Sequence, residues 1–150
     1  MTIHSTRENN TPHIVPKCIA EFARGAAEAS HSTSVVGLCV AGSATAALLM
    51  NEAMQDVAGG VSPSVTALHT AVAIGGSATA AGSFLFSKAM AQVDRAIGQP
   101  AQMFMPARKI GRAFALAAAV AVGCSTTYGM HGAFSEHLAA QSASKSASHK

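Results

Sequence analysis

Apolar and polar positions along this chain separate into long blocks. Three stretches, Ala29 to Asn51, Val57 to Ser87 and Ala113 to Ser135, contain no Asp, Glu, Lys or Arg, and nearly all the charge gathers between them. A hydrocarbon core about 30 Å thick needs roughly 20 apolar residues of helix to cross it. The blocks therefore predict an all-α, small polytopic membrane protein with transmembrane helices at 34–50, 65–87 and 113–130.

An N-terminal arm, 1–33, precedes the membrane domain, 34–135. Residues 1–11 are polar and read as disordered. From Pro16 to Ser30 the pattern is amphipathic: Val15, Ile19, Phe22 and Ala26 fall on one helical face. Lys17, Glu21, Arg24 and Glu28 fall on the other, with i,i+4 pairs Lys17–Glu21 and Arg24–Glu28. This predicts an N-terminal amphipathic helix on the membrane surface or packed on its neighbour. The Ser/Ala/Lys tail, 136–150, reads as disordered from its composition.

The connections carry turn signals: Gly59-Gly60 and Ser62-Pro63, then Gly98-Gln99-Pro100 and Pro106. Met103-Phe104-Met105 forms an apolar spot between prolines, suited to an interface or a partner contact. No apolar h-region precedes Val35, so the first apolar run reads as an uncleaved signal anchor.

The insertion energies are marginal. Val35, Val36, Leu38, Val40, Leu48 and Leu49 give the first segment roughly −2 to −3.6 kcal/mol; Phe114, Leu116, Val120 and Val122 give the third roughly −1.2 to −2.4 kcal/mol. One central charge, at about 2.5 to 3.5 kcal/mol, cancels either. His69 and Gly75-Gly76 weaken the second segment.

Composition leans the same way. Hydrophobic residues make up 49% and charged residues 11% of the 150, against about 25% charged in soluble domains. Mean hydropathy is +0.30. Much of the apolar content is Ala, and Trp is absent with Tyr128 the sole tyrosine, so the interfacial aromatic belt is missing. A soluble helical bundle acting as an adaptor or secreted effector module is the competing reading.

The net charge of +3 comes without any basic–aromatic patch, which argues against nucleic acid. The basic residues alternate by segment instead. The arm has Arg7, Lys17 and Arg24, the first connection none, the second Lys88, Arg95, Arg108, Lys109 and Arg112, and the tail Lys145 and Lys150. Three crossings with the N-terminus cytoplasmic place eight basic residues inside and two outside, as the positive-inside bias requires. The expected location is a bacterial inner membrane with the C-terminus outside.

Each run carries a period-four row of small residues: Thr33-Gly37-Ala41-Thr45, Ala71-Gly75-Thr79-Ser83 and Ala115-Ala119-Gly123-Thr127. In lipid, small residues let helix backbones approach closely. The expected helix-packing positions are Gly37, Ala41, Gly42, Gly75, Gly76, Thr79, Ala119 and Gly123. The partners implied are the lipid bilayer and further copies or other membrane proteins. The string Gly42–Ala47 recurs as Gly76–Ala81, a match that low complexity explains more economically than an inverted repeat.

Nothing points to catalysis. No dinucleotide or phosphate loop, no His-Glu-x-x-His and no Cys-x-x-Cys pair appears. The apolar runs lack the ionisable groups of pumps. The expectation is a non-enzymatic integral membrane protein without cofactors, either a subunit or scaffold of a membrane complex or a self-associating, membrane-perturbing protein that packs through its small-residue helix faces. Cys18, Cys39 and Cys124 are too scattered for a disulfide framework. Polar residues at the outer helix ends, Glu52 and Asp56, His69, and His131, Glu136 and His137, are a candidate metal or pH-sensing cluster. Against that stands their plain role as markers of where helices leave lipid.

Overall fold

In the computed structural model the described residues, 14–58, 62–98 and 105–148, form three helices in up–down–up order: α1 (Ile14–Ala58), α2 (Pro63–Ile97) and α3 (Met105–Ser148). Residues 1–11, the Gly59-Gly60 turn and Met103-Phe104 lie outside the described residues. All three helices are long and apolar enough to cross a membrane.

The helices overrun their expected bounds. At 1.5 Å per residue α1 is about 68 Å long and α3 about 66 Å, twice the thickness of a hydrocarbon core. No separate amphipathic helix is shown: residues 16–30 are the first third of α1. No Gly or Pro interrupts the join. There Ser32 and Thr33 turn their hydroxyls back to carbonyls of their own helix, Glu28 at 3.3 Å and Ala29 at 3.1 Å, so the polar residues do not break it. At the other extreme, α3 runs to Ser148 through the segment expected to be disordered. Extending an existing helix needs no new nucleus, and Ala, Gln and Lys propagate it well.

The ends of α2 follow the turn signals. Ser62 precedes Pro63, and its carbonyl accepts from Val65 and Thr66 at 2.9 and 3.3 Å. Pro at the first helical position gives up a hydrogen that has no partner there anyway. Gly98 closes the helix in the left-handed conformation, φ 62°, with its N–H on Asp94 O at 3.1 Å.

The interior is built from small side chains. Ala20, Ala23, Ala26, Ala41 and Ala44 of α1 are buried, with Ala67, Ala71 and Ala80 of α2 and Ala115 and Ala119 of α3. Large residues join the core near one end, where Phe22, Phe86 and Met90 pack on Ala26, Ala29 and Ala115. Phe114 bridges there to Phe22 and Phe86, with ring centroids 5.9 and 6.3 Å away. Elsewhere many of the big apolar side chains point outward, with Leu38 62%, Leu85 67% and Val120 64% exposed, while Leu48, Val72, Ile74, Phe134 and Leu138 are half-buried. The order of a water-soluble core is inverted.

Candidate functional site

Each pair of helices crosses at glycine. α1 meets α2 at Gly37 and Gly76, where a Cβ on Gly37 would sit 2.8 Å from Ala80 N. The α1–α3 crossing has Gly25 against the backbone of Arg108 and Gly111 against Phe22, again with no room for a Cβ. On α2 and α3, Gly75 faces Gly123 and Thr127, and a Cβ on Gly123 would meet Thr79 Oγ1 at 2.7 Å. Such approaches bring the van der Waals surfaces of the backbones together, which is what associates helices in lipid.

The expected packing positions divide accordingly. Gly37, Ala41, Gly75, Gly76 and Ala119 are buried, and Thr79 and Gly123 are half-buried between helices. Gly42 lies on the outer face with nothing within contact distance of a Cβ. Its counterpart in the repeated string, Gly76, is buried; the same six residues thus sit on opposite faces of their helices. Gly25 and Gly111 lie outside the uncharged stretches, so the small-residue rows do not reach them.

Charged residues knit one end of the bundle, where the start of α1, the end of α2 and the start of α3 come together. Arg24 bonds Glu21 at 2.6 Å and reaches across to Asp94 of α2 at 2.9 Å. Glu28 accepts from Arg108 and, at 2.6 Å, from Arg112 of α3. These contacts replace the expected surface-helix arrangement: Glu21, placed on the solvent face by periodicity, is 3% exposed. The inward face at that level is Ala20, Ala23 and Ala26, while Val15 and Ile19 are exposed. Glu28 stands one residue outside the uncharged stretch. The hydrogen bond from Arg108 holds its carboxyl below the ordinary carboxylate range, against the opposing effect of burial, and Arg112 adds to the lowering.

Hydroxyl and amide contacts fasten α1 to α2 along the rest of their length. Ser87 donates to Ala27 O at 3.0 Å, Thr33 to Ser83 Oγ at 3.1 Å, and Asn51 Nδ2 to Thr66 Oγ1 at 3.2 Å.

The histidines do not converge. His69 donates from Nδ1 to Val65 O of its own helix at 2.9 Å. His137 accepts from Gln141 at 2.9 Å. His131 lines a hollow with Leu68, Cys124 and Tyr128, whereas His137 lines another with Pro63, Thr70 and Phe134. Among the described residues no three His, Cys, Asp or Glu side chains come close enough to hold a metal. The three cysteines are free, with Cys39 and Cys124 exposed on the apolar surface.

No protein family, curated protein or solved structure matches the chain.

Proposed function

We propose that this chain is a non-enzymatic integral membrane protein that crosses the bilayer three times and serves as a structural subunit, associating with further copies or with other membrane proteins. The observation carrying this reading is the inversion of size: small side chains fill the interior while Val35, Val36, Leu38, Leu85, Leu116 and Val120 face outward. In water so large an apolar surface drives aggregation. In lipid it is the solvated surface, and small interior residues are the normal means of packing.

The limits of the spans follow from the charges. Glu28 and Arg112 touch at 2.6 Å, so the uncharged stretches of α1 and α3 begin at one level, and Lys88 ends that of α2. Residues 29–51 and 113–135 each rise about 35 Å as helix, which suits a bilayer core crossed at a modest tilt. The end carrying Arg24, Lys88, Arg108, Lys109 and Arg112 is then the cytoplasmic one, by the bias of basic residues. Association is supported by α3, the least covered of the three apolar helices; outward-facing Ala and Gly on it offer the same packing chemistry to a neighbour.

Alkaline carbonate treatment of membranes holding the full chain tests the reading. Retention in the pellet is expected. Release as a monodisperse species in detergent-free buffer would leave the adaptor reading in its place.

A further inference from the structure

Hydroxyls in these helices commonly bond one turn back on their own helix. Thr33 donates to Ala29 O at 3.1 Å, Thr70 to Thr66 O at 2.9 Å and Thr79 to Gly75 O at 2.8 Å, the local resource of a hydroxyl held away from water. Ser30 does not use it. Its backbone carbonyl accepts from Thr33 at 3.0 Å, but among the described residues its own hydroxyl has no partner. The residue is 2% exposed. A hydroxyl so buried is seldom left unpaired, because nothing replaces the water it has lost.

Ser30 faces a hollow of about 200 Å³ shared by the three helices. Contacts on either side fix it there: Ser87 bonds Ala27 O and Thr33 bonds Ser83 Oγ, tying α1 to α2. Ser30, Ser83, Ala115 and Ala119, all buried, form the inner end. The mouth lies between α2 and α3, where Gly82, Ala118 and Val122 are exposed on the apolar surface. Of the lining hydroxyls, Thr79 and Ser83 are already engaged. The hollow is therefore apolar except for one free donor at its closed end.

We propose that this hollow binds a neutral, ring-sized lipophile through a carbonyl oxygen that accepts from the Ser30 hydroxyl. An apolar cavity of about 150 Å³ takes up benzene, so this space holds one ring with a short substituent. Phe86 lines it and offers a ring to pack against. Apolar walls cannot solvate a charge, which excludes ionic ligands. A carbonyl takes the Ser30 proton and brings none of its own, whereas an alcohol adds a donor that needs a further acceptor. The closed inner end places that oxygen near the ligand's tip. A phospholipid ester does not fit, since its carbonyl lies between the chain and the glycerol. Entry from lipid through the α2–α3 mouth rests on the membrane reading above; the match of hydroxyl to carbonyl does not.

The probe is an acetophenone carrying a diazirine on its ring, irradiated with the full chain in non-ionic detergent. Adducts are mapped by peptide mass spectrometry and are expected on the segments 82–86 and 115–122. Unlabelled acetophenone should suppress them at a concentration roughly fivefold below that of ethylbenzene, which has the same shape without the oxygen, the effect of about one hydrogen bond. Ser30→Ala should abolish that preference without weakening ethylbenzene or lowering the ligand-free thermal midpoint, because the hydroxyl holds nothing in the folded chain. Gly82→Leu, at a position where a Cβ meets nothing, should narrow the mouth and reduce labelling. Adducts spread evenly over the outward-facing side chains, equal competition by the two compounds, a preference kept in Ser30→Ala, or undiminished labelling in Gly82→Leu would each overturn the proposal. A chain retained in carbonate-washed membranes that gives any of these results loses the carbonyl site and keeps the membrane reading. A chain released by carbonate that labels as expected keeps the site and loses only the entry from lipid.

Discussion

Gly37 and Gly76 each close the space above the other: a Cβ on Gly37 would stand 2.8 Å from Gly76 O, and a Cβ on Gly76 2.9 Å from Gly37 O. Real Cβ atoms do not approach a carbonyl oxygen so closely, so either substitution must push α1 and α2 apart. Gly37→Ala and Gly76→Ala are each expected to destabilise the bundle by about 1–3 kcal/mol, the usual cost of overpacking. Gly42→Ala is the control, since that position is open and alanine is favoured over glycine in a helix by roughly 0.5–1 kcal/mol. Unfolding in mixed micelles with increasing dodecyl sulfate measures all three. Parent-like stability in Gly76→Ala would show that the crossing is looser than described.

Arg24 holds two helices together through charge. It sits between Glu21, which is buried on its own helix, and Asp94 of α2. Removing one partner of a buried pair leaves an uncompensated charge, at a cost of about 3 kcal/mol. Arg24→Met is therefore expected to destabilise the chain strongly, and the combination Arg24→Met/Glu21→Gln to recover part of the loss. The same micelle titration reads both. If the double variant is no more stable than the single, Glu21 is not the group that Arg24 neutralises.

Helix existence and the ends of α2 are legible in the residues; the full lengths of α1 and α3 and the direction in which each helix faces are not. Missing charges locate three apolar rods, and Pro63 and Gly98 mark where α2 starts and stops. A helix whose outward face is valine and leucine and whose inward face is alanine and glycine offers no polar side to orient it. Hence local sequence suits Gly42 and Gly76 to packing alike, yet Gly42 is exposed and Gly76 buried. The rule that charge faces water also misplaces Glu21: its neutralising partner Arg24 is local, but the packing that buries it comes from helices remote in sequence, one of which holds Arg24 through Asp94. Gly25 and Gly111 share that difficulty: their need for close approach comes from a partner helix, with no local sign.

Acid should act on the basic end through Glu28. Its folded-state pKa is lowered, first by the hydrogen bond from Arg108. The stabilisation is therefore complete above the unfolded-state value, about 4.3 for a glutamate, and is lost as pH falls through the lower folded-state value. The parent's thermal midpoint in detergent is expected to drop more between pH 6 and pH 3, roughly spanning that range, than the midpoint of Glu28→Gln. Parallel curves for the two proteins would mean that the contacts to Arg108 and Arg112 contribute nothing to folding.

A charge in the middle of α3 separates a bilayer from a bundle in water. Val122 is 45% exposed, so in a soluble protein a lysine there is a harmless surface residue. At the centre of a transmembrane helix it adds about 2.5 to 3.5 kcal/mol to insertion, more than the apolar residues of α3 supply. Val122→Lys is expected to abolish retention of the third helix in carbonate-washed membranes, while Ala140→Lys, beyond the uncharged stretch, changes nothing. Glycosylation acceptor sites placed after α3 report whether that helix has crossed.

Orientation can be read directly from thiol labelling. The starting protein carries Cys18→Ser, Cys39→Ser and Cys124→Ser, and one new thiol is introduced by Ser64→Cys at the start of α2 or by Lys109→Cys at the start of α3. Both positions are exposed and lie at opposite ends of the bundle. With the basic end in the cytoplasm, a membrane-impermeant maleimide is expected to reach position 64 in cells with a permeabilised outer envelope, and position 109 only after the inner membrane is broken. Labelling of both positions from the same side would require an even number of crossings between them, which α2 as a single transmembrane helix does not allow. Labelling of position 109 alone would keep three crossings and reverse their direction.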